Sequence, residues 1–562
     1  MGEWKRSCMG KLFGGVCMPV ISFDFKDFLN LYGSFISAED CANHLPMIGG
    51  DFDKMEGDEF HIEFFPNRPD MTSVEGVARA ARCFFGVEKG LRSYETTPSD
   101  AVCMIDASVK EVRPNIVMGI VRGVEMDDAL VKSLMGLQEK LHIGLGRNRK
   151  KLAIGVHNLD VVSAPFRYIA VDPDAVSFVP LAKEECMTLS QILKHHEKGQ
   201  AYADLLEEMK LHPLIVDEHN HVISYPPVIN GKLTEVTSDT KNILVDVTGW
   251  DEQAVNSALN IVVTALADRG GRIETVKMLD DRGEKCTPNL SPVSWSVHPD
   301  QVNQVLGLSL SIEEMITCLG RMGCDATLKD EVLDVLVPAW RSDILHERDL
   351  IEDIAIGYGY DAFEPELPHM ETIGGRLPRN KDIDLLRKTL VGLGFNEVST
   401  MMVSNKMDEF VHMGLEESKI VEFANPIGEE YAVLRVGLVP SLLRILRENR
   451  HHTLPQQIFE VGTVVEGVSA KNAWCVAGLR CDAKAGFTQS KSIVEAVLRE
   501  LNVKYSVVAG SHPGFIPGRC GKVLVDDGKT VLGFFGELHP KTILAFSLEH
   551  PVIGFELGLP WL

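Results

Sequence analysis

The segment PAWRSDILHERDLIEDIAIGYGYDAFEP, Pro338–Pro365, joins a predicted strand to a predicted helix and concentrates acidic residues at the junction. The strand is EVLDVLVPAW, Glu331–Trp340. Apolar residues at helical spacing indicate the helix. They are Leu350, Ile351, Ile354, Ala355 and Tyr358. From Asp343 to Asp353, five carboxylates fall within eleven residues. Because like charges repel, this density requires solvent, a cation or basic neighbours.

Two interpretations of these carboxylates remain open. Asp349, Glu352 and Asp353 lie at positions i, i+3 and i+4, so we expect them to share one exposed face of the helix. In the first interpretation, which the spacing alone favours, Asp349 caps the helix and the acids complement its dipole. In the second, these acids and Asp343 form an oxygen-only site that suits magnesium. Arg341 and Arg348 are expected to neutralise part of the charge.

The composition is that of an ordinary globular protein with an acidic balance. The chain has 562 residues, of which 45% are hydrophobic and 24% charged, and its formal net charge is −24. This length suggests roughly three to five domains. The negative charge argues against general nucleic-acid binding, which needs a basic surface. Two basic clusters, GRNRKK (Gly146–Lys151) and RENRHH (Arg447–His452), are each more typical of a solvated face than of an RNA contact.

The cysteines and the apolar runs predict a cytoplasmic protein. The 12 cysteines include no C-x-x-C pair, which suits reduced thiols better than a disulfide framework or a zinc site. No apolar run reaches the roughly eighteen residues of a membrane span. Residues 1–17 are interpreted as a disordered N-terminal extension, and the folded chain is expected to begin near Met18.

The order of predicted strands and helices indicates a multidomain α+β protein. Residues 18–94 form an N-terminal α/β domain, and residues 95–280 form a second domain in which strands and helices mix. A linker is predicted at Asp281–Pro292, followed by a compact domain at 285–365. Residues 366–562 are expected to form a mixed, largely antiparallel sheet flanked by helices, with a strand at Asn396–Ser404. Three local signals are also present: a helix cap at Thr72 or Ser73, a hairpin that turns at His219–His221, and a capping box of Ser311 and Glu314.

Several stretches in order resemble the β subunit of phenylalanyl-tRNA synthetase in its shorter archaeal and eukaryotic-like form. Each stretch alone is weak, but together they cover nearly all of the chain from Met18. They are FFPNRPDMTSVEGVARA (Phe64–Ala80), LQEKLHIGLGRNRKKLAIGVHNLD (Leu137–Asp160), SYPPVINGKLTEVTSDTKNILVDVTG (Ser224–Gly249), the opening segment Pro338–Pro365, LRVGLVPSLL (Leu434–Leu443), IFEVG (Ile458–Gly462) and GFFGELHPK (Gly533–Lys541).

The resemblance implies a heterotetramer of two α and two β subunits that joins phenylalanine to tRNA(Phe) with ATP and Mg²⁺. The α subunit would hold the aminoacylation site, while β supplies structure, tRNA contacts and an editing site that hydrolyses mischarged Tyr-tRNA. Residues 95–280 would then be the editing-like domain, 285–365 a winged-helix-like domain with an acidic metal cluster, and 366–562 an inactive class II synthetase-like domain. The resemblance also assigns four positions to Mg²⁺ at the boundary with α. They are Asp343, Asp349, Glu352 and Asp353, whereas Glu347 has no assigned role.

The resemblance to the class II fold predicts a domain without aminoacylation chemistry. Class II enzymes use two arginines to stabilise charge on the transferring phosphoryl group. Here Glu460 follows Ile458 and Phe459, where an arginine would be expected. The last strand, VIGFELG (Val552–Gly558), is followed only by LPWL, so the helix that would carry the second arginine is not expected.

The candidate editing residues lie between Leu214 and Gly249. Strand alternation in NILVDVTG places Leu244, Asp246 and Thr248 on one face, where a carboxylate and a hydroxyl can orient a phenol. Ser224 and Asn230 precede this strand, and Gly231 is expected to admit the substrate backbone. The alternative is that Asp246 and Thr248 simply face water on an amphipathic strand.

No Ser-His-Asp set is apparent in the sequence, so hydrolysis by an oriented water is expected. His157 is a further candidate, although a lone histidine after a strand is more often structural. Two other functions compete with the synthetase subunit. The first is a free-standing tRNA-binding or trans-editing protein without an α partner. The second is a DNA-binding regulator, which the acidic charge disfavours.

Overall fold

The computed structural model describes residues 20–368, 370, 372–525 and 528–561. The predicted extension at residues 1–17 lies outside this described part. The described chain forms two compact units, divided between residues 366 and 367. Within the described ranges, no helix is long and apolar enough to cross a membrane.

The first unit begins with a small sheet and the helices packed on it. The strands are β1 (Val20–Asp24), β2 (Gly50–Glu56) and β3 (Glu59–Phe64). The helices are α1 (Phe25–Tyr32), α2 (Ala38–His44) and α3 (Val74–Phe84). The sheet has the order β1-β3-β2 and is antiparallel. Ser73 caps α3 by accepting the N–H of Gly76, which confirms one of the two predicted caps.

A large mixed sheet follows in the same unit. Its strands are β4 (Thr96–Ile105), β5 (Asn115–Arg122), β6 (Leu152–Asn158), β7 (Phe166–Val171), β10 (His212–Val216), β11 (Val222–Tyr225), β12 (Ile229–Asn230), β13 (Asn242–Gly249), β14 (Arg272–Asp280) and β15 (Gly283–Thr287); a separate short pair is β8 (Ser177–Phe178) and β9 (Met187–Thr188). The order is β12-β11-β10-β7-β4-β14-β5-β13-β6, with β15 paired to β14. The predicted hairpin is confirmed as β10 and β11.

Both faces of β13, the strand next to the β6 edge of the sheet, are buried, so the candidate site lies inside the protein. The helices of this region are α4 (Asp128–Ile143), α5 (Leu189–His195), α6 (Glu197–Tyr202) and α7 (Glu252–Asp268). Val245 and Val247 pack with apolar residues of α7 such as Val262. Leu244 points to the other face and packs with Met118 and Tyr168. The strand therefore lies between two apolar layers.

The remaining part of the first unit is a smaller sheet with three neighbouring helices among the described residues. The strands are β16 (Val293–Val297), β17 (Asp325–Lys329) and β18 (Val332–Val337), and the helices are α8 (Pro299–Leu306), α9 (Ile312–Arg321) and α10 (Glu347–Tyr358). The sheet order is β16-β18-β17. Ser311 and Glu314 form the predicted capping box at the start of α9. Arg321 donates to the carbonyl of Phe84, which ties α9 to α3.

The second unit is a sheet flanked by helices, as the sequence predicts. Its strands are β19 (Asn396–Glu397), β20 (Val403–Ser404), β21 (Val433–Leu434), β22 (Gln456–Glu466), β23 (Lys471–Cys481), β24 (Ser506–Ala509), β25 (Phe515–Val525), β26 (Thr530–Leu538) and β27 (Val552–Gly558), and its helices are α11 (Pro378–Gly392), α12 (Val439–Glu448), α13 (Phe487–Glu500) and α14 (Pro540–Ala545). The main sheet has the order β19-β22-β23-β27-β26-β25-β24. Its pairs are antiparallel except β19 with β22.

Two local predictions are wrong. The predicted linker at Asp281–Pro292 contains β15, which forms a hairpin with β14 across a turn that Asp280 closes. The buried Thr287 hydroxyl then donates to the carbonyl of Met118 and fixes this strand against β5. The predicted strand at Asn396–Ser404 is strand only at its two ends, in β19 and β20. In the first case, polar residues typical of turns made a strand look like a linker. In the second case, β-branched residues made a mostly irregular segment look like a strand.

Candidate functional site

The predicted alternation of β13 holds, but neither of its faces meets water. Asp246 and Thr248 point to the same side as Leu244, and they are only 2% and 0% exposed. The alternative in which these two residues face solvent is therefore wrong. A buried carboxylate is costly unless it is paired, so its partners define what this face can do.

Asp246 is paired with a histidine that contacts a hydroxyl on its other side. Oδ1 of Asp246 lies 2.7 Å from Nε2 of His157 on β6, and Nδ1 of the same ring lies 2.8 Å from Oγ1 of Thr234. His157 and Thr234 are 0% and 1% exposed. We refer to these three residues as the Asp–His–Thr chain. It holds a carboxylate, an imidazole and a hydroxyl in sequence within a dry environment.

A glycine makes room for this chain. Gly155 lies directly opposite Asp246 across the β6–β13 pair. A Cβ on Gly155 would lie 2.1 Å from Oδ1 of Asp246 and 2.5 Å from Nε2 of His157. Any larger residue would therefore push the carboxylate and the imidazole apart.

Ser224 and Asn230 lie beside the Asp–His–Thr chain. They pair across β11 and β12, where Oγ of Ser224 donates to Oδ1 of Asn230 at 3.1 Å. Nδ2 of Asn230 donates to the carbonyl of Val156, the neighbour of His157, at 3.4 Å. These contacts bring the β12 end of the sheet back to β6. The packing of the chain itself requires glycine at position 231, because a Cβ there would meet the carbonyl oxygen of Val222 at 2.5 Å.

Thr248 is held by a separate partner, Arg113. Nε of Arg113 donates to the Thr248 hydroxyl at 2.9 Å, and Nη2 donates to the Thr248 carbonyl at 2.9 Å. Burial lowers the pKa of Arg113 to about 10. The structure thus connects Ser224, Asn230 and Asp246 through β6, the strand that carries His157. Thr248 lies on the same face of β13 as Asp246, but it is bonded to Arg113 instead.

Sequence reasoning missed two of these participants. Arg113 and Thr234 lie in segments without a recognisable pattern, and only pairing in three dimensions reveals them. His157 was considered, and the signal that strengthens it is its register in the β6–β13 pair, diagonal to Asp246. The hydroxyl beside His157 belongs to Thr234, which is 1% exposed and lies 3.3 Å from the Gly231 carbonyl, so it differs from the accessible serine of a nucleophilic Ser-His-Asp set.

The acidic residues of the segment Pro338–Pro365 line a cavity of about 380 Å³. All four predicted metal positions line it, together with Arg68, Tyr360 and residues near Gly49. Arg341 donates to both oxygens of Asp343 at 2.7–2.8 Å and to both oxygens of Asp353 at 3.0 Å. This buried guanidinium contacts two of the four carboxylates, and its single positive charge offsets one of their four negative charges. Arg348, the second predicted cation, is exposed and has no ion pair with them in the described part of the chain.

The predicted exposed face of α10 is only partly correct. Asp353 is buried rather than exposed, because its carboxylate turns inward to Arg341. Burial raises the pKa of Asp353. For Asp343, burial acts in the same direction, but the Arg341 guanidinium outweighs it and lowers the pKa. Glu352 is exposed, as predicted.

Asp349 takes part in the helix cap, as the first interpretation proposed. His346 is the capping residue, and Oδ2 of Asp349 accepts the N–H groups of Leu345 and His346 at 2.7 and 2.8 Å. Within the described ranges, no three Asp, Glu, His or Cys side chains converge closely enough to hold a metal ion. Because Arg341 pairs with Asp343 and Asp353, a cation in this cavity would meet Asp349 and Glu352 and would have to keep most of its waters.

The second unit contains a cavity of about 930 Å³ against its main sheet. Its lining includes the buried carboxylates of Glu409 and Glu556. Glu556 accepts the N–H groups of Leu438 and Val439 at the start of α12, and burial raises its pKa to about 7. Glu460 is paired with Arg435 at 2.9 Å. The buried carboxylates would repel a triphosphate, while Arg379 and Lys471 also line the cavity.

Comparison with known proteins gives a consistent result over the whole chain. Residues 295–360 match the tRNA synthetase B5 domain family, and residues 364–559 match the phenylalanyl-tRNA synthetase beta chain CLM domain family. The chain is 44% identical over 544 residues to the phenylalanine–tRNA ligase beta subunit of Methanothrix thermoacetophila, which covers 96% of this chain and 100% of the relative. It is 42% identical over 546 residues to that of Methanococcoides burtonii, with the same two coverages.

A solved structure supports the same relationship for the first part of the chain. An N-terminal fragment of the phenylalanyl-tRNA synthetase beta subunit from Pyrococcus horikoshii superposes with a TM-score of 0.59 at 36% sequence identity. The match covers 60% of this chain and 99% of the fragment.

Proposed function

Since this chain belongs to the phenylalanine–tRNA ligase β-subunit family, we propose that it assembles with a catalytic α subunit as two α and two β chains. The chain is thus a subunit of an aminoacyl-tRNA ligase that acts in protein biosynthesis. The proposed assembly attaches phenylalanine to tRNA(Phe) with ATP and Mg²⁺ in the cytoplasm. A free-standing editing protein is not favoured, because relatives that match over their full length are named as subunits.

The second unit is proposed to serve the assembly without aminoacylation chemistry of its own. Ile458 and Phe459 lie where the first catalytic arginine would stand, and the neighbouring cavity contains Glu409 and Glu556. Residues 366–562 would then provide the docking surface for α, while ATP and phenylalanine bind in α. An ATP–pyrophosphate exchange signal from the purified chain alone would contradict this assignment.

Residues 95–280 are proposed to form the editing domain that hydrolyses Tyr-tRNA. The observation that supports this proposal is the buried Asp–His–Thr chain on the predicted face of β13. Tyrosine differs from phenylalanine by a hydroxyl, which an apolar pocket rejects only weakly, whereas a polar site can select it. Asp246 and Thr248 would orient the phenol, and Ser224 and Asn230 would border it.

The hydrolysis itself requires a group that takes a proton from the attacking water. His157 is 0% exposed and both of its ring nitrogens are engaged, so a proton from the attacking water would reach it through the Thr234 hydroxyl, which would take that proton as it gives its own to Nδ1. We therefore assign His157 as a proton-carrying group and Asp246 as the residue that orients it. Water remains the nucleophile in this scheme.

The variant Asp246→Ala in the assembled enzyme tests the editing proposal. We expect Tyr-tRNA to accumulate while phenylalanine charging persists, because the change leaves the α subunit untouched. The matched control is Asp239→Ala, an exposed aspartate before the same strand whose side chain has no hydrogen bond or ion pair in the described part of the chain. Equal accumulation in both variants would contradict the role of Asp246.

The acidic cavity is proposed to bind Mg²⁺ at the boundary with α. Asp349 keeps one carboxylate oxygen that the cap does not use, and Glu352 is exposed, so these two residues would be the direct ligands. Asp343 and Asp353 would complete the negative surface around the hydrated ion, with Arg341 holding them in place. The metal would thus support assembly rather than acid–base chemistry.

Calorimetric titration of the full chain with Mg²⁺ alone tests this site. The double variant Asp349→Asn/Glu352→Gln should lose binding, and its assembly with α should lose its Mg²⁺ dependence. Asparagine retains an acceptor for the cap, so α10 should remain intact. Glu347→Gln is the control, since this fifth acid does not line the cavity. If the control weakens binding as much, or if the double variant binds normally, the acids serve only the helix cap.

A further inference from the structure

The basic turn at residues 146–151 has a backbone that its sequence does not prefer. Arg147, Asn148 and Arg149 all adopt left-handed conformations, with φ of 47°, 54° and 64°. Such conformations are rare for successive residues with side chains, and they cluster at functional sites. Hydrogen bonds from Lys151 N to the Gly146 carbonyl and from Asn148 N to the Ile143 carbonyl close the turn.

One arginine anchors the turn and leaves two cations on its outside. Nη1 of Arg149 donates to the carbonyls of Pro227 and Val228 at 3.0 Å, and its guanidinium lies 4.4 Å from the centre of the Tyr202 ring. Arg147 and Lys150 are exposed, and neither side chain has an ion pair or hydrogen bond within the described ranges. The turn therefore presents unpaired positive charge on a chain whose net charge is −24.

An exposed tryptophan follows β13 and is bonded through its backbone to the end of this turn. The backbone N–H of Trp250 donates to the backbone carbonyl of Lys151 at 3.0 Å, and the residue is 48% exposed. Gly249 permits this approach, because a Cβ there would lie 2.4 Å from the same carbonyl. Trp250 follows the candidate residue Thr248 by two positions, and Nη2 of Arg113 contacts both the Thr248 carbonyl and, at 3.3 Å, that of Arg149.

We propose that the turn 146–151 and Trp250 bind the single-stranded 3′ end of a tRNA, with a base stacked on Trp250 and phosphates contacted by Arg147 and Lys150. An exposed aromatic ring beside positive charge is the combination that binds single-stranded nucleic acid. The proposal rests on the editing function, and it explains how an acidic protein presents a local surface for RNA. Its position two residues from Thr248 directs the terminal nucleotide toward the editing face.

The test uses the assembled enzyme and a labelled single-stranded RNA of eight nucleotides ending in CCA, with binding followed by fluorescence anisotropy at several salt concentrations. We expect Trp250→Leu to weaken binding roughly 5- to 150-fold, the range for loss of one stacked base, while Trp250→Phe stays close to the parent. The double variant Arg147→Asn/Lys150→Gln should reduce the salt slope by about 1.4, since each lost phosphate contact of a single strand removes about 0.7. Asparagine tolerates the left-handed backbone at position 147.

The second basic cluster supplies the matched control. Arg447→Gln/Arg450→Gln removes the same two charges, and we expect it to leave both the affinity and the salt slope unchanged. Equal losses in the two double variants, or no loss in either, would overturn the proposal.

Tyr-tRNA hydrolysis separates a failure of this proposal from a failure of the editing function. The turn variants should raise KM and leave kcat unchanged, whereas Asp246→Ala should lower kcat and leave RNA affinity unchanged. If the parent enzyme hydrolyses no Tyr-tRNA but the turn variants lose RNA binding, the editing function fails and the RNA surface stands. If hydrolysis is present and the turn variants bind RNA normally, the RNA surface is refuted alone.

Discussion

Replacing Gly155 by alanine tests whether the contact between Asp246 and His157 organises the candidate editing site. The new Cβ would lie 2.1 Å from Oδ1 of Asp246 and 2.5 Å from Nε2 of His157. Both distances are shorter than atoms tolerate, so the carboxylate or the ring must move. Their 2.7 Å hydrogen bond must then break.

The size of the effect follows from the burial of both partners. Asp246 is 2% exposed and His157 is 0% exposed, so water does not replace the lost contact. Breaking a buried pair costs about 3–5 kcal/mol. We therefore expect Gly155→Ala and Asp246→Ala each to lower the free energy of unfolding by about 3 kcal/mol. The double variant should cost only about 3–4 kcal/mol instead of about 6, because the carboxylate that the methyl group meets is already gone.

The assay is urea denaturation of the parent, the two single variants and the double variant, with Tyr-tRNA hydrolysis measured in parallel. Gly119→Ala serves as the control on the neighbouring strand β5. Its Cβ would contact Val263 and Leu259 at 3.2 and 3.4 Å on the other face of the sheet, so its cost should add to that of Asp246→Ala. Additive costs for Gly155→Ala and Asp246→Ala would refute the reasoning, as would normal hydrolysis in Gly155→Ala.

Two further predictions concern buried charge elsewhere in the chain. The pKa of Glu556 is raised by burial from 4.5 to about 7, so the folded state binds a proton that the unfolded state has lost between these values. Stability should therefore fall by about 3 kcal/mol as the pH rises from 4.5 to 7, and Glu556→Gln should flatten this part of the pH profile of urea midpoints. A profile that the substitution leaves unchanged would contradict the burial of this charge. Arg341→Met should leave Asp343 and Asp353 buried without their cation and cost about 3–5 kcal/mol in the same denaturation assay. The control is Arg348→Met at an exposed position, which should change the free energy of unfolding by less than about 0.5 kcal/mol. Equal losses of stability in Arg341→Met and Arg348→Met would contradict a stabilising role of the Arg341 ion pairs.

Much of the fold follows from patterns that are local in the sequence. Ser311 and Glu314 predict the start of α9, because both residues of the capping box lie within one helical turn. The alternation in β13 predicts which side chains share a face. It does not predict that both faces are covered, because this depends on α7 on one side and on the distant Tyr168 on the other. The water-facing alternative for Asp246 was wrong for this reason.

The candidate site was predictable in its residue types more than in its connections. Asp246, Ser224 and Asn230 are polar residues in apolar strands, and this pattern marks them out. Their partners are far apart in sequence, since His157 lies 89 residues from Asp246 and 77 from Thr234. Only the register of β6 against β13 brings the first pair together, and a one-residue slip would separate them.

In the acidic segment, a local pattern predicted the wrong position for a side chain. Helical spacing placed Asp353 with Glu352 on an exposed face, yet Asp353 turns inward to Arg341. Arg341 lies only 12 residues away, but a periodicity argument treats each side chain by its angle around the helix. It takes no account of a buried cation that attracts a carboxylate across that angle.

The hydrolysis of preformed Tyr-tRNA under single-turnover conditions tests the central claim most directly. The parent chain assembled with its α subunit should release tyrosine rapidly, and the same assembly with Asp246→Ala should release it at least about tenfold more slowly, as expected when a catalytic imidazole loses the group that orients it. Phenylalanine charging should be equal in the two assemblies. Equal rates of tyrosine release would contradict the claim that the buried Asp–His–Thr chain carries the editing reaction.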